Sequence, residues 1–178
     1  MRTPPHSPAH LTVSRRQFLA LTTASAAAAV AGCATNPVTG RSQLMLFSEA
    51  DEIDLDKQWS PHQFSADYGA VQDAALNAYV SQIGSDLATV SYRPYMPYSF
   101  RVLNAVVVNG YTFPAGSIAL NRGLMVNLNN EAELAGVIGH EIGHVSYRHA
   151  GERMTKGMLA QLAVVGLAAY VATKEEKY

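Results

Sequence analysis

His140 and His144 stand four residues apart with Glu141 directly after the first, in the run GHEIGHVSYRH that begins at Gly139. Asn130 upstream is a helix-capping residue, and Glu133 occupies the reciprocal third position of a capping box. A helix is therefore expected from Asn130 to about His149. Four helical residues turn through about 400° and climb about 6 Å, so both imidazoles leave one face. That geometry suits two ring nitrogens binding one zinc ion per chain at about 2.0–2.1 Å. Glu141, on the adjoining edge, is placed to accept a proton from a water that the metal activates, and to pass it on to a leaving amine. His140 and His144 are thus the candidate metal ligands and Glu141 the candidate catalytic base. Gly139 and Gly143 are poor helix formers, at about 1 kcal/mol each relative to Ala, and suggest close approach by another backbone or a substrate. His149 is five residues past His144, about 140° away on a continuing helix. It cannot join the same metal unless the helix ends first, and otherwise reads as a C-terminal residue favoured by the helix dipole. His62 has no chemical partner nearby in sequence.

Upstream of that helix the pattern changes several times. Ser48 with Asp51 three residues later marks a helix start near Glu49. A second amphipathic helix is expected over roughly Val71 to Val90, where Ala75, Tyr79, Ile83 and Leu87 recur at four-residue spacing beside Leu76 and Val80. The words RPYMPY end it. From Ser99 to Leu120, β-branched and aromatic residues predict strands, with a turn signal at Asn109-Gly110 and a break at Pro114-Ala115-Gly116. Downstream, Gly157 to Ala172 is apolar except for Gln161. Sixteen residues suit a buried helix better than a membrane span.

The chain of 178 residues has room for one domain and a targeting segment. No acidic residue precedes Glu49. Arg15 and Arg16 lead into the weakly apolar run FLALTTASAAAAVA, which ends at Ala31 and is sized for a signal peptide. SRRQFLA resembles a twin-arginine signal, and Val30-Ala31-Gly32-Cys33 resembles a bacterial lipobox. Residues 1–32 are accordingly expected to be a signal peptide, and 33–178 the N-terminal part of a metallopeptidase domain. Cys33 is expected to carry lipid, which anchors the protein to a membrane without spanning it. Ala34 in place of Asp directs the expectation to the outer rather than the inner membrane. Cys33 is the sole cysteine, so an internal disulfide and a thiolate zinc site are both excluded. Formal net charge is -1, and no basic stripe points to nucleic acid.

The segment NEAELAGVIGHEIGHVSYRHAGERM, Asn130 to Met154, resembles the zinc-binding helix of the HtpX-like metallopeptidases, peptidase family M48. NPVTGRSQLMLFSEADEI, Asn36 to Ile53, resembles the start of the periplasmic lipoprotein branch of that family. NGYTFPAGSIALNRGLM, Asn109 to Met125, resembles the strand and turn before the zinc helix: Pro114, Gly116 and Arg122-Gly123-Leu124 keep the family wording, while Gly110 and Ala115 depart from it. The resemblance implies a gluzincin-type α+β domain, mostly helical, with a small sheet beside the zinc helix. It implies a strand near Ser117 to Leu120 along the cleft, whose edge would pair with an extended polypeptide substrate. It further implies zinc-dependent cleavage of envelope proteins in quality control. The family's third zinc ligand is a Glu on a later helix in an EADxxG-like setting. That word does not occur before Tyr178, and neither Glu152, Glu175 nor Glu176 sits in such a setting. The third ligand is therefore expected beyond this chain. The alternative is a non-catalytic lipoprotein binder, or an inactive fragment lacking that ligand.

Overall fold

A capping box opens the first helix of the structure, a computed structural model that describes residues 33–175, with side-chain surroundings through 168. The Ser48 hydroxyl accepts from the Asp51 backbone N–H, and the Asp51 carboxylate accepts in return from Ser48 N at 2.8 Å. Helix α1 runs from there over Glu49–Ala66. The residues it buries recur every four positions, as an inward stripe should, but they are Glu52, Asp56, Ser60 and Phe64. This polar stripe escapes a search for apolar periodicity. Before α1, strands β1 (Cys33–Thr35) and β2 (Ser42–Leu44) form a two-stranded sheet. Cys33 is exposed. The twin-arginine words, the apolar run and the rest of the 1–32 segment lie outside the described residues.

Helix α2 spans Ala74–Thr89, with Asp73 accepting from Leu76 N at 2.9 Å. Val80, Gly84 and Ala88 are buried, and Leu76, Ile83 and Leu87 of the expected stripe pack against the same core, partly buried. Tyr79 is exposed instead, and its hydroxyl donates to Glu131 at 2.7 Å. The cause is local. The Phe100 ring lies so near Gly84 that a Cβ there would sit 2.5 Å from it, so the helix turns its small residues towards the sheet.

Three strands follow: β3 (Ser99–Leu103), β4 (Gly110–Thr112) and β5 (Ser117–Asn121). Their spatial order is β3-β5-β4, with β5 parallel to β3 and antiparallel to β4. The strand at Ser117 to Leu120 is therefore central, and β3 and β4 are the edge strands. Side chains alternate across the sheet as a period of two demands. Phe100, Val102, Ile118 and Leu120 pack with Val80, Leu134, Ile138 and Ile142. On the other face, Leu103 and Ala119 meet Phe64 of α1. Asp56 of α1 fixes the turn into β5 by accepting from Ala115 N at 2.9 Å and Ser117 N at 3.1 Å.

A short helix, α3 (Arg122–Met125), leads to α4 (Glu131–Ser146). Glu133 N donates to Asn130 Oδ1 at 3.0 Å, as the cap requires. The returning bond is displaced by one residue: the Glu133 carboxylate accepts from Asn129 N at 2.8 Å. Helix α4 ends at Ser146, three residues before the expected limit. Arg148 then adopts a left-handed φ of 58°, and a separate helix, α5, begins at His149 and continues to Glu175. In the part of the Gly157 to Ala172 stretch whose side chains are described, Met158, Leu159, Leu162, Val164, Val165 and Leu167 are all exposed. Among the described residues no helix is long and apolar enough to cross a membrane.

The corner at Tyr147 and Arg148 is held by buried charge. Glu52, fully buried, accepts from Arg93 Nη2 at 2.9 Å and Arg148 Nε at 3.0 Å. Arg93 also donates to Val145 O at 3.0 Å, and Arg148 to Phe47 O at 2.9 Å. From the other side, Asn36 Nδ2 donates to Tyr147 O at 3.1 Å. Removing one member of a buried ion pair leaves an uncompensated charge and costs about 3–5 kcal/mol. Glu52→Ala is therefore expected to lower unfolding free energy by about that amount. Glu49→Ala, which removes a half-exposed partner of the same Arg93, is expected to cost less than about 1 kcal/mol. Chemical denaturation of both variants checks the difference, and equal losses would contradict it.

Candidate active site

Helix α4 carries two different faces. Leu134, Ile138, Ile142 and Val145 are buried against the sheet and its neighbours, which leaves the opposite edge to His140 and His144. The imidazole rings of these two residues lie 4.7 Å apart, centroid to centroid, at an interplanar angle of 80°. They open into a cleft of about 270 Å³ that Glu141, β4, His149, Ala150 and Arg153 complete. All three residues picked out by spacing, His140, Glu141 and His144, thus share one concavity with the sheet edge. His62 lies exposed on α1 and does not line it.

Burial in this wall raises the Glu141 carboxyl above its usual range, and the neighbouring His140 only partly offsets that. A carboxylate held this way is a stronger base than a solvated one. His144 is shifted the other way. Burial lowers its proton affinity first, and His140, His149 and Arg153 add positive neighbours that lower it further. A neutral imidazole keeps the lone pair that a metal requires.

The donor set fits two corners of a nitrogen-ligated zinc site: two imidazoles on one helical face, with a base beside them. Among the described residues no group of three or more His, Cys, Asp or Glu is arranged to hold a metal. Glu152 is turned elsewhere, to Lys156 Nζ at 2.6 Å.

No other backbone approaches Gly139 or Gly143: apart from the helix's own backbone and the adjacent residues, a Cβ at either would find no atom within 4 Å. Near the cleft, Gly151 is tightly packed: a Cβ there would fall 2.7 Å from Glu52 Oε1 and 2.8 Å from Met45 Sδ. There α5 crosses directly over the buried ion network.

His149 is the residue that sequence reading misplaced. Because α4 stops at Ser146, His149 does not continue its far face. It swings back into the cleft, with its Nδ1 2.6 Å from Nδ1 of His144. The Tyr147 ring stacks on its other side at 5.2 Å and 23°. Arg153, one turn further on α5, enters the cleft wall by the same route.

Glu141 titrates above the ordinary carboxyl value in the folded state, so its ionisation opposes folding at neutral pH. Stability from this group is complete below the unfolded value and is lost as pH rises through the folded one. Glu141→Gln is therefore expected to raise the melting temperature of the metal-free protein at pH 7, with the gap closing as the pH falls to about 4. Thermal unfolding at a series of pH values reads this, and a variant less stable than wild type at pH 7 would refute it.

A family model described as Peptidase family M48 matches residues 74–178. A putative beta-barrel assembly-enhancing protease of Vibrio cholerae is 33% identical over 84 residues, which is 47% of this chain and 17% of that protein. The beta-barrel assembly-enhancing protease of Yersinia pestis is 32% identical over 106 residues, 59% of this chain and 22% of the relative. The mitochondrial metalloendopeptidase OMA1 of Arabidopsis thaliana is 38% identical over 71 residues, 40% of this chain and 15% of the relative. The chain thus spans between 15% and 22% of the length of these curated relatives.

Proposed function

This chain belongs to peptidase family M48, and we propose that it is the N-terminal part of a zinc-dependent metalloendopeptidase that cuts polypeptides in the bacterial cell envelope. The observation that carries this reading is the convergence of His140, Glu141 and His144 on one cleft beside the edge strand β4. Zinc held there would supply Lewis-acid chemistry, activating a water and polarising the scissile carbonyl. His140 and His144 are the two ligands this chain contributes. Glu141 takes the proton of the attacking water and delivers it to the leaving nitrogen. Strand β4 has one side paired to β5, and its free side runs along the cleft. An extended polypeptide laid there would gain main-chain hydrogen bonds with little demand on its side chains. Poorly folded proteins present such segments, which suits a quality-control role. Two of the relatives carry names that place them in beta-barrel assembly.

Residues 1–32 are the export signal in this account. Cys33 becomes the lipid-bearing first residue of the mature protein, on the periplasmic side and at the outer membrane in preference to the inner. The exposure of Cys33 is compatible with such an anchor. Mass spectrometry of the membrane fraction is expected to find a peptide that begins at acylated Cys33. A mature form beginning elsewhere would contradict the anchor.

A second reading, a non-catalytic binder that uses the same cleft, draws on the lack of a three-ligand cluster among the described residues. One experiment separates the two. Full-length protein, Glu141→Gln and His144→Ala are assayed for bound zinc and for cleavage of unfolded casein. Glu141→Gln is expected to keep about one zinc and lose at least about 100-fold in activity, as general-base removal should. His144→Ala is expected to lose both. Activity of Glu141→Gln within a few-fold of wild type would defeat the assignment.

A further inference from the structure

We propose that His149 is a positioning residue, which fixes the tautomer of His144 so that the Nε2 lone pair faces the metal. This rests on the reading of His140 and His144 as zinc ligands and adds a residue to that site. The two Nδ1 atoms lie 2.6 Å apart, so one must carry a hydrogen and the other a lone pair. If His144 donates from Nδ1, its Nε2 is left unprotonated and available. If it accepts, Nε2 holds the proton and cannot bind metal. Outer-shell partners of this kind orient ligating imidazoles and raise their basicity.

The surroundings of His149 are built to keep it there. Its ring lies 4.9 Å from that of His144 on one side and is stacked on Tyr147 on the other. The chain reaches this position through the left-handed Arg148, a conformation that is strained for a non-glycine residue. The bonds from Arg148 to Glu52 and to Phe47 O offset that strain. A histidine serving only to cap α4 would need none of this, because α4 has already ended at Ser146. His149 faces His144 within the cleft and stands outside the HExxH spacing.

The test has two arms, both on full-length protein. In the first, metal-free protein carrying nitrogen-15 histidine is examined by long-range proton–nitrogen NMR. His144 is expected to be protonated at Nδ1 in wild type and to shift towards the Nε2-protonated form in His149→Ala. In the second, zinc affinity is measured against a competing chelator. His149→Ala is expected to bind about 10–100-fold more weakly at unchanged stoichiometry. His149→Gln, whose amide oxygen can still accept from Nδ1, is expected to recover part of the loss. An unchanged His144 tautomer in His149→Ala would overturn the proposal. So would loss of zinc as complete as in His144→Ala, since His149 would then be a ligand itself. Should His144→Ala bind zinc like wild type, the ligand assignment fails and this inference with it. The tautomer arm identifies that case, because it reads the histidine pair without metal.

Discussion

One buried carboxylate, Glu52, joins three parts of this protein that are far apart in sequence. It accepts from Arg93, which follows α2, and from Arg148, which follows α4, while standing on α1 itself. Ion pairs buried this completely are weak sources of net stability, because desolvation consumes much of the Coulomb gain. What they provide is position. An arginine without its partner here would be a bare buried charge, so alternative packings of the corner are heavily penalised. The corner in turn sets where α5 begins, and that start places His149 and Arg153 in the cleft. Gly151 belongs to the same arrangement, since any side chain there would collide with Glu52 and Met45.

The other carboxylate of α1, Asp56, performs the matching task for the sheet. By accepting from the N–H groups of Ala115 and Ser117 in the Pro114 to Ser117 turn, it fixes where β5 begins. The register of β5 against β4 then decides which residues of β4 reach the cleft. Gly110 pairs with Leu120, and Thr112 with Ile118, while Ile118 and Leu120 are packed under α4. Helix and edge strand are thus spaced by one shared apolar layer. A helix whose buried stripe is largely polar therefore governs both walls of the proposed active site.

The contrast explains how far the sequence could be read. The HExxH spacing, the Asn130 cap, the Ser48 capping box and the strand region after Ser99 are all local signals. Each depends on residues within a few positions of one another, and each appears in the structure. The α+β architecture with a sheet beside the zinc-type helix follows from the same signals and from the family resemblance. The misreadings all involve long-range contacts. Continuation of α4 to His149 was the natural extrapolation, because nothing in SYRH announces a left-handed Arg148. Distant groups stabilise that turn: Glu52 and Phe47 O bind Arg148, and Asn36 binds Tyr147 O. In helix α2 the expected Tyr79 turns outward while Gly84 turns in against the Phe100 ring, and the strand expected at the cleft from the resemblance, Ser117 to Leu120, is central in the sheet. The close packing of Gly151 over Glu52, a carboxylate about a hundred positions away, has no local signal either.

The central claim is that His140 and His144 hold zinc through their imidazoles in the cleft formed by α4 and β4. X-ray absorption at the zinc edge of the full-length protein addresses it directly. The account predicts a first shell of nitrogen and oxygen with two imidazole rings, at about 2.0–2.1 Å and without sulfur. A shell lacking imidazole scattering, or one containing thiolate, would contradict it.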